Sequence, residues 1–147
     1  MYNNILVPVD GSGPSNAALR EVIKIAGDGA RIIRLVHVVD LVHWDDKFAT
    51  GSIGDTILAS LRETAMGYLN DGKNVLHAHG FNSESILLES HGERTAQLII
   101  SHAKIWPADL IVMGTHGRRG LSRLVVGSDA AEVVRSAPTP VLLVRGQ

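Results

Sequence analysis

Apolar positions come in short blocks separated by polar, glycine-rich punctuation. "NNILVPVD" (residues 3–10) is a β-branched apolar run bounded by Asn on one side and Gly-Ser-Gly on the other. A strand buried on both faces of a parallel sheet reads this way. In "GPSNAALREVIKIAGDG" (residues 13–29) the period changes, and Ala18, Val22, Ile25 and Ala26 fall on one helical face. Pro14 near its start and Gly27 and Gly29 near its end have the asymmetry expected of a helix. "RIIRLVHVVD" (residues 31–40) reads as a second buried strand, which completes a strand–helix–strand crossover.

Residues 41–53 ("LVHWDDKFATGSI") have no clean period and are expected to form a loop. From Gly54 to about His79, the residues Ile57, Leu61, Ala65, Tyr68, Leu69 and Leu76 recur at helical spacing. The "NDGKN" at 70–74 offers an alternative, a shorter helix followed by a strand "VLHAH"; the expectation is one long helix ended by Gly80. "SESILLES" (83–90) is then the third strand, and "GERTAQLIISHAKI" a third helix halted ahead of Pro107, because the residue before a proline avoids helical dihedrals. "ADLIVMG" supplies the fourth strand and "PVLLVR" (140–145) the fifth. Between them, "GTHGRRGLSRLVVGSDAAEVV" (114–134) passes from a glycine-rich segment into an amphipathic helix. Strands and helices alternating throughout imply one doubly wound α/β domain over residues 1–147, its parallel sheet covered on both faces.

Composition narrows the function classes. A chain of 147 residues, 45% hydrophobic and 20% charged, has the make-up of an ordinary globular protein. A formal net charge of −1 argues against non-specific nucleic-acid binding. No apolar run approaches a membrane span, and cysteine is absent. "MYNNILVPVDGS" lacks the basic and long apolar segments of a secretion signal, so a cytoplasmic chain is expected.

In open α/β sheets, ligands sit beyond the carboxyl ends of the strands, where strand order reverses. Strand one ends "VPVDGSG" and strand four ends "VMGTHGRRG". As neighbours, they would set Asp10 and the Gly114 segment around one crevice. Gly114, Gly117 and Gly127 would let backbone N–H groups come close to an oxyanion. Ser128 would open the last helix, whose dipole favours phosphate, and Arg118, Arg119 and Arg123 add positive charge. The Gly-x-x-x-x-Gly-Lys-Ser/Thr and Gly-x-Gly-x-x-Gly fingerprints are both missing. Taken alone, the glycine segment is as well a plain surface connection, and Asp10 a turn residue or helix cap. His116 reads equally as a phosphate contact, a base or a solvated loop histidine. Asp129 puts a carboxylate beside the expected phosphate position. Its capping-box spacing to Glu132 suggests that it caps the helix and leaves the Ser128 hydroxyl free. No metal site is expected: His77 and His79, two apart on a helix, do not face each other, zinc-type spacing does not occur, and Asp45 and Asp46 read as a solvated loop.

Gly114-x-x-Gly117, nine residues, then Gly127-Ser128 resembles the nucleotide motif of the universal stress protein family, in its ATP-binding branch. "ILVPVDGS", "ADLIVMGTHGRRGLSRLVVGS" and "APTPVLLVR" are similar to that family's signature stretches, whereas residues 41–92 match loosely. The resemblance implies an open five-stranded sheet of order 3-2-1-4-5, adenine nucleotide alpha hydrolase-like. It implies that Pro8, Val9 and Asp10 meet the adenine and ribose side and that Val38 lines the adenine pocket. Met113, Gly114, Gly117, Gly127 and Ser128 would hold ribose and phosphates, with Arg118 and Asp129 beside them. It implies ATP as ligand, any Mg²⁺ arriving with the nucleotide and keeping waters. It also implies a homodimer through residues 140–145, an edge strand whose uncharged "VLLV" invites pairing. No residue clearly serves as the base or water-orienting group of phosphoryl transfer. The expectation is therefore a nucleotide-responsive dimeric module in stress response. A slow ATPase with His116 or Asp10 orienting water, or an interaction homodimer with an empty site, are the alternatives.

Overall fold

Five parallel strands, β1 (Asn4–Pro8), β2 (Ile32–Asp40), β3 (Ser83–Ser90), β4 (Leu110–Gly114) and β5 (Val141–Val144), form one sheet in the order β3-β2-β1-β4-β5. The computed structural model describes residues 2–27, 32–42, 51–117 and 125–146. Among the described residues, four helices alternate with the strands: α1 (Gly13–Ala26), α2 (Ser52–Ala78), α3 (Thr95–Ile105) and α4 (Ser128–Ser136). β1 pairs with β2 on one side and β4 on the other, with Ile5 beside both Ile33 and Leu110. Strand order thus reverses between β1 and β4.

The alternation of a strand's side chains divides the core in two. Ile5, Val7 and Val9 pack with Ala18, Leu19, Val22 and Ala26 of α1 and Leu69 and Leu76 of α2. Leu6, one residue out of phase, joins the other face with Ile99 and Ala103 of α3 and Ala130 and Val133 of α4. This is why the central strands read as continuous apolar runs. Ile25 is half-buried at the margin of the α1 face.

Local signals explain the helix ends. Ser12 caps α1, its hydroxyl accepting from the Ser15 N–H at 3.3 Å, and Pro14 sits in the first turn, where its missing N–H costs nothing. α2 begins at Ser52, two residues before the expected start, and runs through "NDGKN" without a break. Gly72 has a packing role there: a Cβ would meet Leu35 Cδ1 at 2.8 Å, so the glycine lets α2 lie close on β2. The alternative strand "VLHAH" does not form; those residues belong to α2 or its cap. Asp45 and Asp46 lie outside the described residues.

Near the amino-terminal ends of the strands, Arg34 of β2 bonds to the Glu84 carboxylate of β3 at 2.6 Å and lies 4.5 Å over the Trp106 ring. His102 of α3 faces the same guanidinium at 3.4 Å. Burial, and then repulsion from Arg34, hold the His102 pKa below its ordinary value.

Candidate functional site

Past the end of β1, the Val9 N–H donates to the Val36 carbonyl at 2.8 Å, and the Val9 side chain is buried in the α1/α2 core. Asp10 begins the turn into α1. Its N–H donates to Ser15 Oγ at 3.1 Å, and its Oδ1 accepts from the Ser12 N–H at 2.9 Å. Gly11 takes a φ of +76° at the next position, and a Cβ there would fall 2.5 Å from two Tyr68 ring atoms. The turn is therefore pressed against α2 and requires glycine.

The carboxyl end of β4 meets this turn. A Cβ on Gly117 would come 2.8 Å from Asp10 Oδ2. Asp10 and the Gly114–Gly117 segment therefore share the crevice where strand order reverses. Gly114 has a different part. Its Cβ would lie 2.7 Å from Pro14 C and Cβ, so the glycine lets β4 pass beneath the start of α1. Met113 is buried on the α3/α4 face, and Val38 packs half-buried on the same face. Val9 points to the opposite face, so the three apolar side chains do not form one wall. Pro8 ends β1 beside Val36. Arg118, with Arg119 and Arg123, lies outside the described residues.

The far end of the glycine motif returns to the near end. The Gly127 N–H donates to the Thr115 carbonyl at 2.8 Å, and the Gly127 carbonyl accepts from the Ala131 N–H at 2.9 Å. Gly127, not Asp129, is the N-cap of α4, and no side chain caps that end. A Cβ at Gly127 would lie only 3.3 Å from the Thr115 oxygen, so the close return favours glycine there. The Gly127 N–H is thus committed to the backbone, and the amides of the first turn of α4 are the ones without a side-chain acceptor. Ser128, exposed, is the first residue of this helix and Asp129 the second, where its charge suits the helix dipole. Glu132 pairs instead with Arg94, at 2.8 Å, an ion pair without hydrogen-bond alignment.

Three further residues close around the site. His37 Nδ1 lies 2.6 Å from the Val9 carbonyl oxygen, and the His37 ring tilts against Tyr68 with centroids 5.3 Å apart. Thr115 Oγ1 lies 3.0 Å from Nδ1 of His116. Only His37 carried a signal in the sequence, as a polar residue inside an apolar strand. His79 Nδ1 lies 2.9 Å from its own helix's Val75 carbonyl oxygen. Among the described residues no three His, Asp or Glu side chains converge as metal ligands.

A doubly wound parallel sheet, with a glycine-bordered crevice at its order reversal and a helix amino terminus beside it, places the chain among open α/β proteins, a class whose ligands sit beyond the strand ends at such a reversal. The model of the universal stress protein family matches residues 1–145, and the chain belongs to that family. It is 34% identical to universal stress protein MJ0531 of Methanocaldococcus jannaschii, over 99% of this chain and 83% of that protein. Among solved structures, MJ0577 of the same organism superposes with a TM-score of 0.87 at 26% identity, covering 100% of this chain and 98% of that one. A universal stress protein of Archaeoglobus fulgidus in complex with dAMP has the same fold, with a TM-score of 0.70 at 22% identity and 98% of each chain covered.

Proposed function

We propose that the crevice between β1 and β4 binds an adenine nucleotide, ATP with Mg²⁺, as in the ATP-binding branch of the family. In this reading the protein is a nucleotide-responsive module of the stress response, paired through β5. The observation that carries it is the approach of Gly117 to Asp10, where a Cβ would lie only 2.8 Å from the carboxylate oxygen Oδ2. A side chain at this position would crowd the Asp10 carboxylate at the mouth of the crevice. The dAMP bound to the Archaeoglobus fulgidus relative supports the choice of ligand.

Asp10 would accept from a ribose hydroxyl while its other oxygen holds the turn. Pro8 and Val9 would contribute backbone at the strand end, and Val38 and Met113 apolar surface toward the base. The Ser128 hydroxyl and the first-turn amides of α4 would take the phosphates, with Gly114, Gly117 and Gly127 shaping the approach. Arg118 would offset the charge that Asp129 sets near them. The metal ion, when bound, neutralises phosphate charge and keeps most of its waters.

Calorimetric titration of ATP into the wild type and Gly117→Val tests this. The wild type binds, and the variant loses ATP because its branched side chain collides with Asp10; its thermal midpoint stays close to wild type because Gly117 is exposed. A wild type that takes up no adenine nucleotide, or a variant with undiminished affinity, would overturn the reading.

A further inference from the structure

α1 and α2 share one face of the sheet, and a groove of about 350 Å³ opens between them. That volume is at the low end for ligand pockets, about 300–1,000 Å³, and suits one small molecule. The floor is apolar. Val9 and Leu19, both buried, reach it from the end of β1 and from α1, and Tyr68 and Val75 line it from α2. The rim carries one sign of charge on each helix. Arg20 stands on α1, with the Asn16 amide one turn ahead of it, and Asp71 stands on α2. Among the described residues, neither Arg20 nor Asp71 enters an ion pair or a hydrogen bond. The next charges along α1 differ in this respect: Lys24 and Glu21 are joined to each other at 2.9 Å. A simple anion in the groove would be repelled by Asp71, and a simple amine by Arg20. A molecule with both charges and an apolar group satisfies both walls and the floor together.

We infer that the groove between α1 and α2 is a binding site for a free α-amino acid with an apolar side chain. The Arg20 guanidinium and the Asn16 amide take its carboxylate, and Asp71 takes its ammonium group. Its side chain lies on Val9, Leu19 and the Tyr68 ring. Asn16, Arg20 and Asp71 have no part in the nucleotide reading, so this site goes beyond that reading and does not depend on it.

Nuclear magnetic resonance titrations of the full chain with leucine, methionine, valine and phenylalanine test this. At least one of them shifts the Arg20 Nε–H and the backbone amides of residues 16–20 and 68–75, saturating at millimolar concentration or below. Two analogues of the tightest-binding amino acid, its amide and its deaminated acid, each lack one charge. Both bind about tenfold or more weakly, the scale of a lost hydrogen bond to a charged group. Arg20→Gln weakens the amino acid by a similar factor and leaves its amide unaffected, and Asp71→Asn weakens it and leaves the deaminated acid unaffected. Arg20 and Asp71 are exposed, so both variants keep the wild-type thermal midpoint, and a loss of binding is not a loss of fold. Shifts that fail to saturate for all four amino acids, or that map elsewhere, overturn the assignment. So do analogues or variants that bind as tightly as the parent pair. Each of these outcomes is independent of whether the crevice takes ATP, which Gly117→Val decides separately.

Discussion

Three glycines with one apparent purpose in the chain have three different ones in space. At Gly114 the neighbours of a new Cβ are backbone and ring atoms of Pro14 at 2.7–2.9 Å, which cannot swing aside. At Gly127 the nearest atom is the Thr115 oxygen at 3.3 Å, a contact that a few tenths of an ångström relieve. At Gly117 the obstacle is a carboxylate on a movable side chain, 2.8 Å away. Stability and ligand effects therefore separate. Gly114→Ala destabilises by about 1–3 kcal/mol, the usual cost of overpacking. Thermal unfolding followed by circular dichroism shows its midpoint falling by several degrees, while Gly127→Ala moves much less. Equal midpoints for the two would mean that α1 lifts away from β4 at little cost.

At the scale of elements, the strands were legible because burial on both faces writes an unbroken apolar run, and the helices because their stripes repeat. Legibility ended where a residue's meaning depends on a distant element. Gly72 looks like a breaker in "NDGKN" and is in fact the point where α2 approaches Leu35 of β2. Gly114 looks like a phosphate contact and is the point where β4 passes under α1. Asp129 looks like a cap, but the hydrogen bond from Gly127 to Thr115 fixes the helix start two residues earlier. Nothing in local spacing encodes such meetings. The meeting of Asp10 with the Gly117 segment was legible because strand ends converge by topology. The edge strand β5 is another case where topology decides. Among the described residues it pairs only with β4, and Leu142 is exposed on it. Leu142→Lys puts a charge at the proposed two-fold and shifts sedimentation toward monomer, whereas the wild type sediments as a dimer. A wild type that is monomeric at micromolar concentration would rule out pairing through β5.

For the whole molecule, the cluster of Arg34, Glu84, Trp106 and His102 makes stability depend on pH at the end of the sheet remote from the crevice. The His102 pKa is lowered from an ordinary value near 6.5, by burial first and by Arg34 second. The unfolded chain then binds the proton more readily than the folded one. Stability from this group is complete above that ordinary value and is lost as pH falls through the lower, folded-state pKa. Urea midpoints should drop between about pH 7 and pH 5 in the wild type, and drop less in His102→Gln, which has no proton to take up. Parallel curves for the two would assign the dependence to other groups.

Pro14 is wedged between two strands: the Gly114 Cβ position lies 2.7 Å from it, and that of Gly146, just past β5, 3.0 Å. The turn that carries Asp10, the start of α1 and the edge strand thus share one rigid joint. Under the proposed function this joint is common to the nucleotide site and the pairing strand, which makes it an energetic linkage. Whatever free energy a nucleotide contributes to pairing at β5, pairing must return to the nucleotide in the same amount. In that reading protein concentration acts as an effector of ligand affinity, so a scarce chain and an abundant one would read the same nucleotide level differently.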